Sequence, residues 1–237
     1  MAEAQYFARK LAETNLDDVS DLYRIAVQHF KNGDIELALK VLDDKELNSA
    51  GVELAQRQRQ LADAFLLKGR LLITNLQSSI AGQYFERAMA INATFETTFA
   101  YGWFLQQQKE LDKALTLYLR CLEIARRDND AAEIAQAQNN LGIVYKSKSE
   151  IEKARPAFEE ALRIRKNLGT TDSLSQAAVA DTLNNLAAFN HEQNRMSEAR
   201  MEYEESVAVF KDLDAKDPGV YSPELAHALN NLGNLAL

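Results

Sequence analysis

The chain has 237 residues, 46% of them hydrophobic and 26% charged, with 27 Lys+Arg against 35 Asp+Glu for a formal charge of −8. An acidic chain without a basic run is repelled by phosphate backbones, which argues against nucleic acid as a partner. No apolar run approaches the roughly 20 residues needed to span a bilayer, so no membrane partner is expected either.

Only 9 Gly and 3 Pro occur, which leaves little room for hairpins or long loops. Ala, Leu, Glu, Gln, Lys and Arg dominate, the residues that lose least on entering a helix. The single cysteine, Cys121, excludes an intrachain disulfide framework and fits a reducing compartment. Met1 is followed by Ala-Glu-Ala-Gln-Tyr instead of a basic segment and an apolar core, so there is no secretory signal and the expected location is cytoplasmic.

Along the chain, AQYFARKLAE near the N-terminus has helical character, and residues 1–18 are expected to form a capping helix. A repeated pattern then begins. Twelve residues separate Ala26 from Ala38, Gly69 from Ala81, Gly102 from Ala114, Gly142 from Ala154 and Ala187 from Ala199. Four residues after each second position comes a large side chain: Leu42, Phe85, Tyr118, Phe158 and Tyr203. The runs NNLGIVY, NNLAAFN and NNLGNLA begin at Asn139, Asn184 and Asn230, intervals of 45 and 46 residues.

This alternation resembles the tetratricopeptide repeat, W-x2-L-G-x2-Y followed by A-x3-F-x2-A. The long spacings and the NNLG run are most similar to kinesin-light-chain-type repeats, also frequent in large bacterial signalling proteins. The resemblance covers about residues 19–237, as five repeats and an incomplete sixth. It implies an all-α, right-handed superhelical solenoid of antiparallel helix pairs, a scaffold that binds a protein or peptide in a concave groove lined by the first helices.

Physical chemistry reaches the same architecture. A glycine inside a helix costs about 1 kcal/mol relative to alanine. Gly69, Gly102, Gly142 and Gly233 recur at one helical phase, which makes sense if a second helix crosses there too closely for a side chain. Each helical hairpin then has an apolar face too wide to bury alone, and stacking buries it. Asn32-Gly33 and Asn194 mark turns within hairpins, and Ser222-Pro223 reads as an N-cap followed by a first-turn proline. The chain stops two turns into a sixth repeat, as expected for a fragment of a longer protein, and self-association through an uncapped C-terminal end is one expectation.

Catalytic chemistry is not legible. His29, His191 and His227 are isolated, no metal-ligand or phosphate-loop spacing occurs, and no cofactor is expected. The Glu159-Glu160 and Glu202-Glu204-Glu205 groups sit at solvent-facing phases, and Cys121 replaces a small packing residue. The chain reads as a binding protein, not an enzyme.

The binding surface is expected on first helices. At groove phases lie Asn139, Asn140, Asn184, Asn185, Asn230 and Asn231 in the C-terminal half, and Arg70, Phe99 and Trp103 toward the N-terminus. Asparagine is a mediocre helix former, so two per helix in three successive repeats need a reason. The amides could present donors and acceptors to an extended peptide, a role the resemblance assigns to Asn140, Asn185 and Asn231. They could equally bond neighbouring repeats to one another. Trp103, the sole tryptophan, is the residue type enriched at interface hot spots. The alternative is a module for self-association or intramolecular docking, with no separate ligand.

Overall fold

A computed structural model describes residues 21–42, 44–74, 77–169 and 172–235. The capping helix expected over residues 1–18 lies outside them. Among the described residues there are eleven helices and no strand. The chain divides into two units, residues 1–60 and 61–237.

In the first unit, α1 (Asp21–Lys31) and α2 (Ile35–Val41) form a hairpin, and α3 (Asp44–Thr74) begins. Among its described residues, Ala26, Val27 and Ala38 are buried. The turn between α1 and α2 uses Gly33 at φ 86°, as the Asn-Gly pair predicts.

The second unit starts within α3 and continues through α4 (Ser78–Ile91), α5 (Phe95–Gln107), α6 (Leu111–Arg127), α7 (Ala131–Ser147), α8 (Ile151–Leu168), α9 (Ser173–Glu192), α10 (Met196–Lys216) and α11 (Ser222–Asn234). Consecutive helices pack on one another in the order α5 to α11, and alternate helices α5, α7, α9 and α11 also touch. That is the all-α solenoid of helix pairs expected from the repeats.

Local chemistry fixes where the helices start and stop. Thr94 and Thr97 form a reciprocal capping box at the head of α5. The side chains of Asp130 and Asp172 accept from the backbone N–H groups of Glu133 and Ser175 to cap α7 and α9. Four first helices, α1, α5, α7 and α9, end on a left-handed residue at one repeat phase: Gly33, Lys109 (φ 64°), Ser149 (φ 61°) and Asn194 (φ 59°). The residue that follows donates its N–H back five positions, as Glu110 does to Leu105 and Glu150 to Tyr145. Geometry outranks residue type here, because lysine and serine occupy a position that suits glycine.

The recurring glycines act on a ring, not on a crossing backbone. A Cβ on Gly142 would lie 2.7 Å from the Phe158 ring, one on Gly69 3.0 Å from Phe85, and one on Gly102 3.2 Å from Tyr118. The glycine thus opens a socket for the large side chain of the following helix. Phe85, Tyr118 and Phe158 fill these sockets and are fully buried, each contributing roughly 1.5–3 kcal/mol of apolar burial. Gly233 meets nothing within 4 Å, while Gly82 makes the same kind of room for Phe104.

The last helix corrects one expectation. Tyr221 is the N-cap of α11, and Ser222 is already helical. The Ser222 hydroxyl donates to Asp214 Oδ1 at 2.6 Å instead of capping its own helix.

Candidate binding groove

The first helices of successive repeats are the C-terminal part of α3, then α5, α7, α9 and α11. Their equivalent faces carry two different chemistries within residues 61–237.

Over α7, α9 and α11 the asparagines join neighbouring helices. Asn185 Nδ2 donates to Asn139 Oδ1 at 3.1 Å, and Asn231 Nδ2 donates to Asn184 Oδ1 at 3.1 Å. The second Asn of one repeat therefore reaches back to the first Asn of the repeat before. Asn139 and Asn184 are each only 7% exposed, so the pairs satisfy polar groups that would otherwise be costly to bury. Asn140 has no amide to reach, because Phe99 occupies the corresponding place on α5; it donates to its own Gln136 carbonyl at 2.9 Å. Asn230 is exposed. Asn231 also lies 3.3 Å from His227 Nε2.

Over α3, α5 and α7 the seam is aromatic and open. A cleft of about 630 Å³ brings Arg70, Phe99 and Trp103 together. Its apolar lining comes from Ile73 on α3, Phe85 on α4, and Phe95, Phe99 and Ala100 on α5. Phe99 is held from both sides: it stacks on Phe95 at 5.6 Å between ring centroids and tilts against Tyr118 at 5.4 Å. Trp103 is 39% exposed at the same cleft.

Polar groups of the cleft come from three helices. Arg70 donates to Glu96 Oε1 at 3.0 Å in an exposed ion pair, a contact worth little by itself. Gln136 and Glu133 contribute from α7. Loss of water raises the Glu133 carboxyl above the ordinary glutamate range, and the nearby Asp130 and Asp128 add to it. The sequence reading missed Glu133. It stands third in α7, after an Asp cap, where an acidic residue already has a sufficient reason to be present.

Other polar clusters are tied off locally. Arg155 donates to Asn190 Oδ1 at 2.6 Å, and Asn190 Nδ2 donates to Glu202 at 2.8 and 3.0 Å, joining α8, α9 and α10. Glu160 pairs with Arg163 and Glu205 with Lys166. Cys121 is buried, and burial pushes its thiol up to about 12, which suppresses the reactive thiolate. Among the described residues no group of three His, Cys, Asp or Glu side chains could hold a metal ion, and no helix is long and apolar enough to cross a membrane.

Comparison with known proteins points to the same architecture. Residues 94–167 and residues 179–213 match two family descriptions, each of the tetratricopeptide repeat. No curated protein matches the chain. Among solved structures, BtubC (BKLC) from P. vanneervenii is 19% identical, with a TM-score of 0.55 over 76% of this chain and 82% of that one. Nearly identical TPR-like repeats from Podosopora anserina are 17% identical, with a TM-score of 0.58 over 75% and 86%. The apo form of RapI is 18% identical, with a TM-score of 0.58 over 91% and 82%. At these identities the likeness is one of fold.

Proposed function

The chain is a tetratricopeptide-repeat protein, and on that premise we propose that it is an interaction scaffold whose concave face receives a peptide segment of a partner protein in the aromatic cleft of α3, α5 and α7. The observation that carries this reading is the 39% exposed Trp103 standing over a cleft of about 630 Å³ with an aromatic lining. A cleft of that size falls within the range of sites that enclose a small ligand or a few side chains, and an amphipathic indole at its mouth is the commonest kind of hot spot. The amide rows of α7, α9 and α11 serve a different end in this reading. They hold successive first helices in register and keep the cleft's α7 wall in place. A scaffold, not an enzyme, fits a surface on which Glu160 and Glu205 are paired with cations and Glu202 with an amide.

Panning a displayed random-peptide library against the 237-residue protein tests the proposal. We expect enriched peptides whose binding disappears in Trp103→Ala and survives in Asn230→Ala. Enrichment no greater than on an unrelated helical protein, together with concentration-dependent oligomers in light scattering, would favour self-association instead.

A further inference from the structure

The cleft has a charge pattern that its apolar lining does not require. Glu96 and Glu133 both line it, against a single cation, Arg70. Arg70 is engaged with Glu96 at 3.0 Å. The Glu133 carboxylate, half-buried, meets no cation within ion-pair distance among the described residues, and its nearest charged neighbours include the acidic Asp130 and Asp128. The α7 N-terminus accounts for an acid at this place, but it leaves the side chain of Glu133 facing the cleft without a paired cation, a position that an incoming cation can fill. Trp103 stands over the same cleft, and an indole face attracts a guanidinium more strongly than other rings do.

We infer that the partner segment carries an apolar or aromatic anchor followed by an arginine, the anchor seated on Phe95, Phe99 and Ala100 and the guanidinium between Glu133 and Trp103. This rests on the proposed binding role and adds the chemistry of the occupant. An acidic segment is disfavoured twice, by Glu133 locally and by the formal charge of −8 over the chain. Arginine suits the place better than lysine, because its planar head can bond the carboxylate while stacking on the indole.

Trp103 is the only tryptophan, so intrinsic fluorescence reads the cleft directly. The probes are the blocked dipeptides acetyl-Phe-Arg-amide, acetyl-Phe-Gln-amide and acetyl-Phe-Glu-amide, titrated into the full chain. We expect a saturable change with Phe-Arg, about tenfold weaker binding of Phe-Gln, as for loss of a hydrogen bond to a charged group, and weaker binding still of Phe-Glu. Glu133→Gln should bring Phe-Arg down to the level of Phe-Gln and leave Phe-Gln itself unchanged, with the helical circular dichroism intact. Glu123→Gln, an exposed site on α6, removes the same net charge elsewhere and should leave the ratio alone. Equal binding of Phe-Arg and Phe-Gln, an unaltered ratio in Glu133→Gln, an equal drop in Glu123→Gln, or no saturable change with any probe would each overturn the inference. Library panning reads the binding role separately: enriched peptides without a basic residue would leave that role standing and remove this one.

Discussion

The seam joining α7, α9 and α11 and the seam joining α3, α5 and α7 occupy equivalent places in successive repeats, yet one is closed by amides and the other is left open by rings. The position held by Asn139 and Asn184 is held by Phe99 on α5, and that of Asn140, Asn185 and Asn231 by Ala100. Two short polar side chains meet across adjacent helices and satisfy each other. A phenylalanine beside an alanine offers nothing to such a partner, so the adjoining surface stays available. The proposed binding site thus lies where the repeat's own adhesive is missing. α7 belongs to both seams: Asn139 faces the closed one, while Glu133 and Gln136 face the open one.

If that division is right, substitutions on the two seams should move different quantities. The largest effect belongs to Trp103→Ala, which should weaken binding of a cleft peptide by about thirtyfold or more, on the scale of 2 kcal/mol for a hot spot. Its melting temperature should stay close to the parent, because the indole is partly exposed. Isothermal titration and a thermal melt on the same preparation check both halves. An unchanged affinity would break the comparison at its open end.

Next come the ring sockets. Gly142→Ala would force a Cβ to within 2.7 Å of the buried Phe158 ring. Overpacking of this kind costs about 1–3 kcal/mol, offset by about 1 kcal/mol of helix propensity, for a net loss of up to about 2 kcal/mol. Gly233→Ala meets nothing within 4 Å and should stabilise by up to about 1 kcal/mol. Urea unfolding of the two variants should give opposite signs, and equal signs would mean that the glycines do not serve as sockets.

Breaking the closed seam should be milder. Asn185→Ala leaves the Asn139 acceptor without its donor, and Asn231→Ala does the same to Asn184. A lost neutral hydrogen bond costs about 0.5–1.5 kcal/mol, and alanine's better helix propensity returns part of it. A small fall in melting temperature with peptide affinity unchanged is the expected pair of results. Smallest of all, Lys109→Gly and Ser149→Gly should each stabilise by up to about 1 kcal/mol, since both residues hold φ above 60°, where a Cβ is unfavourable. Chemical denaturation resolves a gain of that size.

Much of the fold was legible because five copies of one pattern lie within one chain. The twelve-residue step from Gly or Ala to Ala, and the large residue four further on, fixed helix pairs, turns and core together. Helical phase alone also placed Arg70, Phe99 and Trp103 on one face, and the structure gathers them at one cleft. Bonding between neighbouring repeats was one of two roles open for the asparagines, and which amides meet depends on how one repeat is rotated against the next. Asn185 and Asn139 are 46 residues apart, and no periodicity within either helix reveals that their amides meet. Glu133 was masked by its place in a capped first turn. The glycines were read as sites of backbone approach, because a sequence does not show which atom of a neighbouring helix comes nearest.

Photo-crosslinking is the most direct test of where the partner lies. A panned peptide carrying a benzophenone beside its anchor residue, irradiated with the full chain and mapped by mass spectrometry, reports contact without any substitution in the protein. The account predicts adducts on residues 95–103 of α5 and 133–136 of α7. Adducts confined to Asn140, Asn185 and Asn231 and their neighbours would contradict it and return the binding surface to the amide rows.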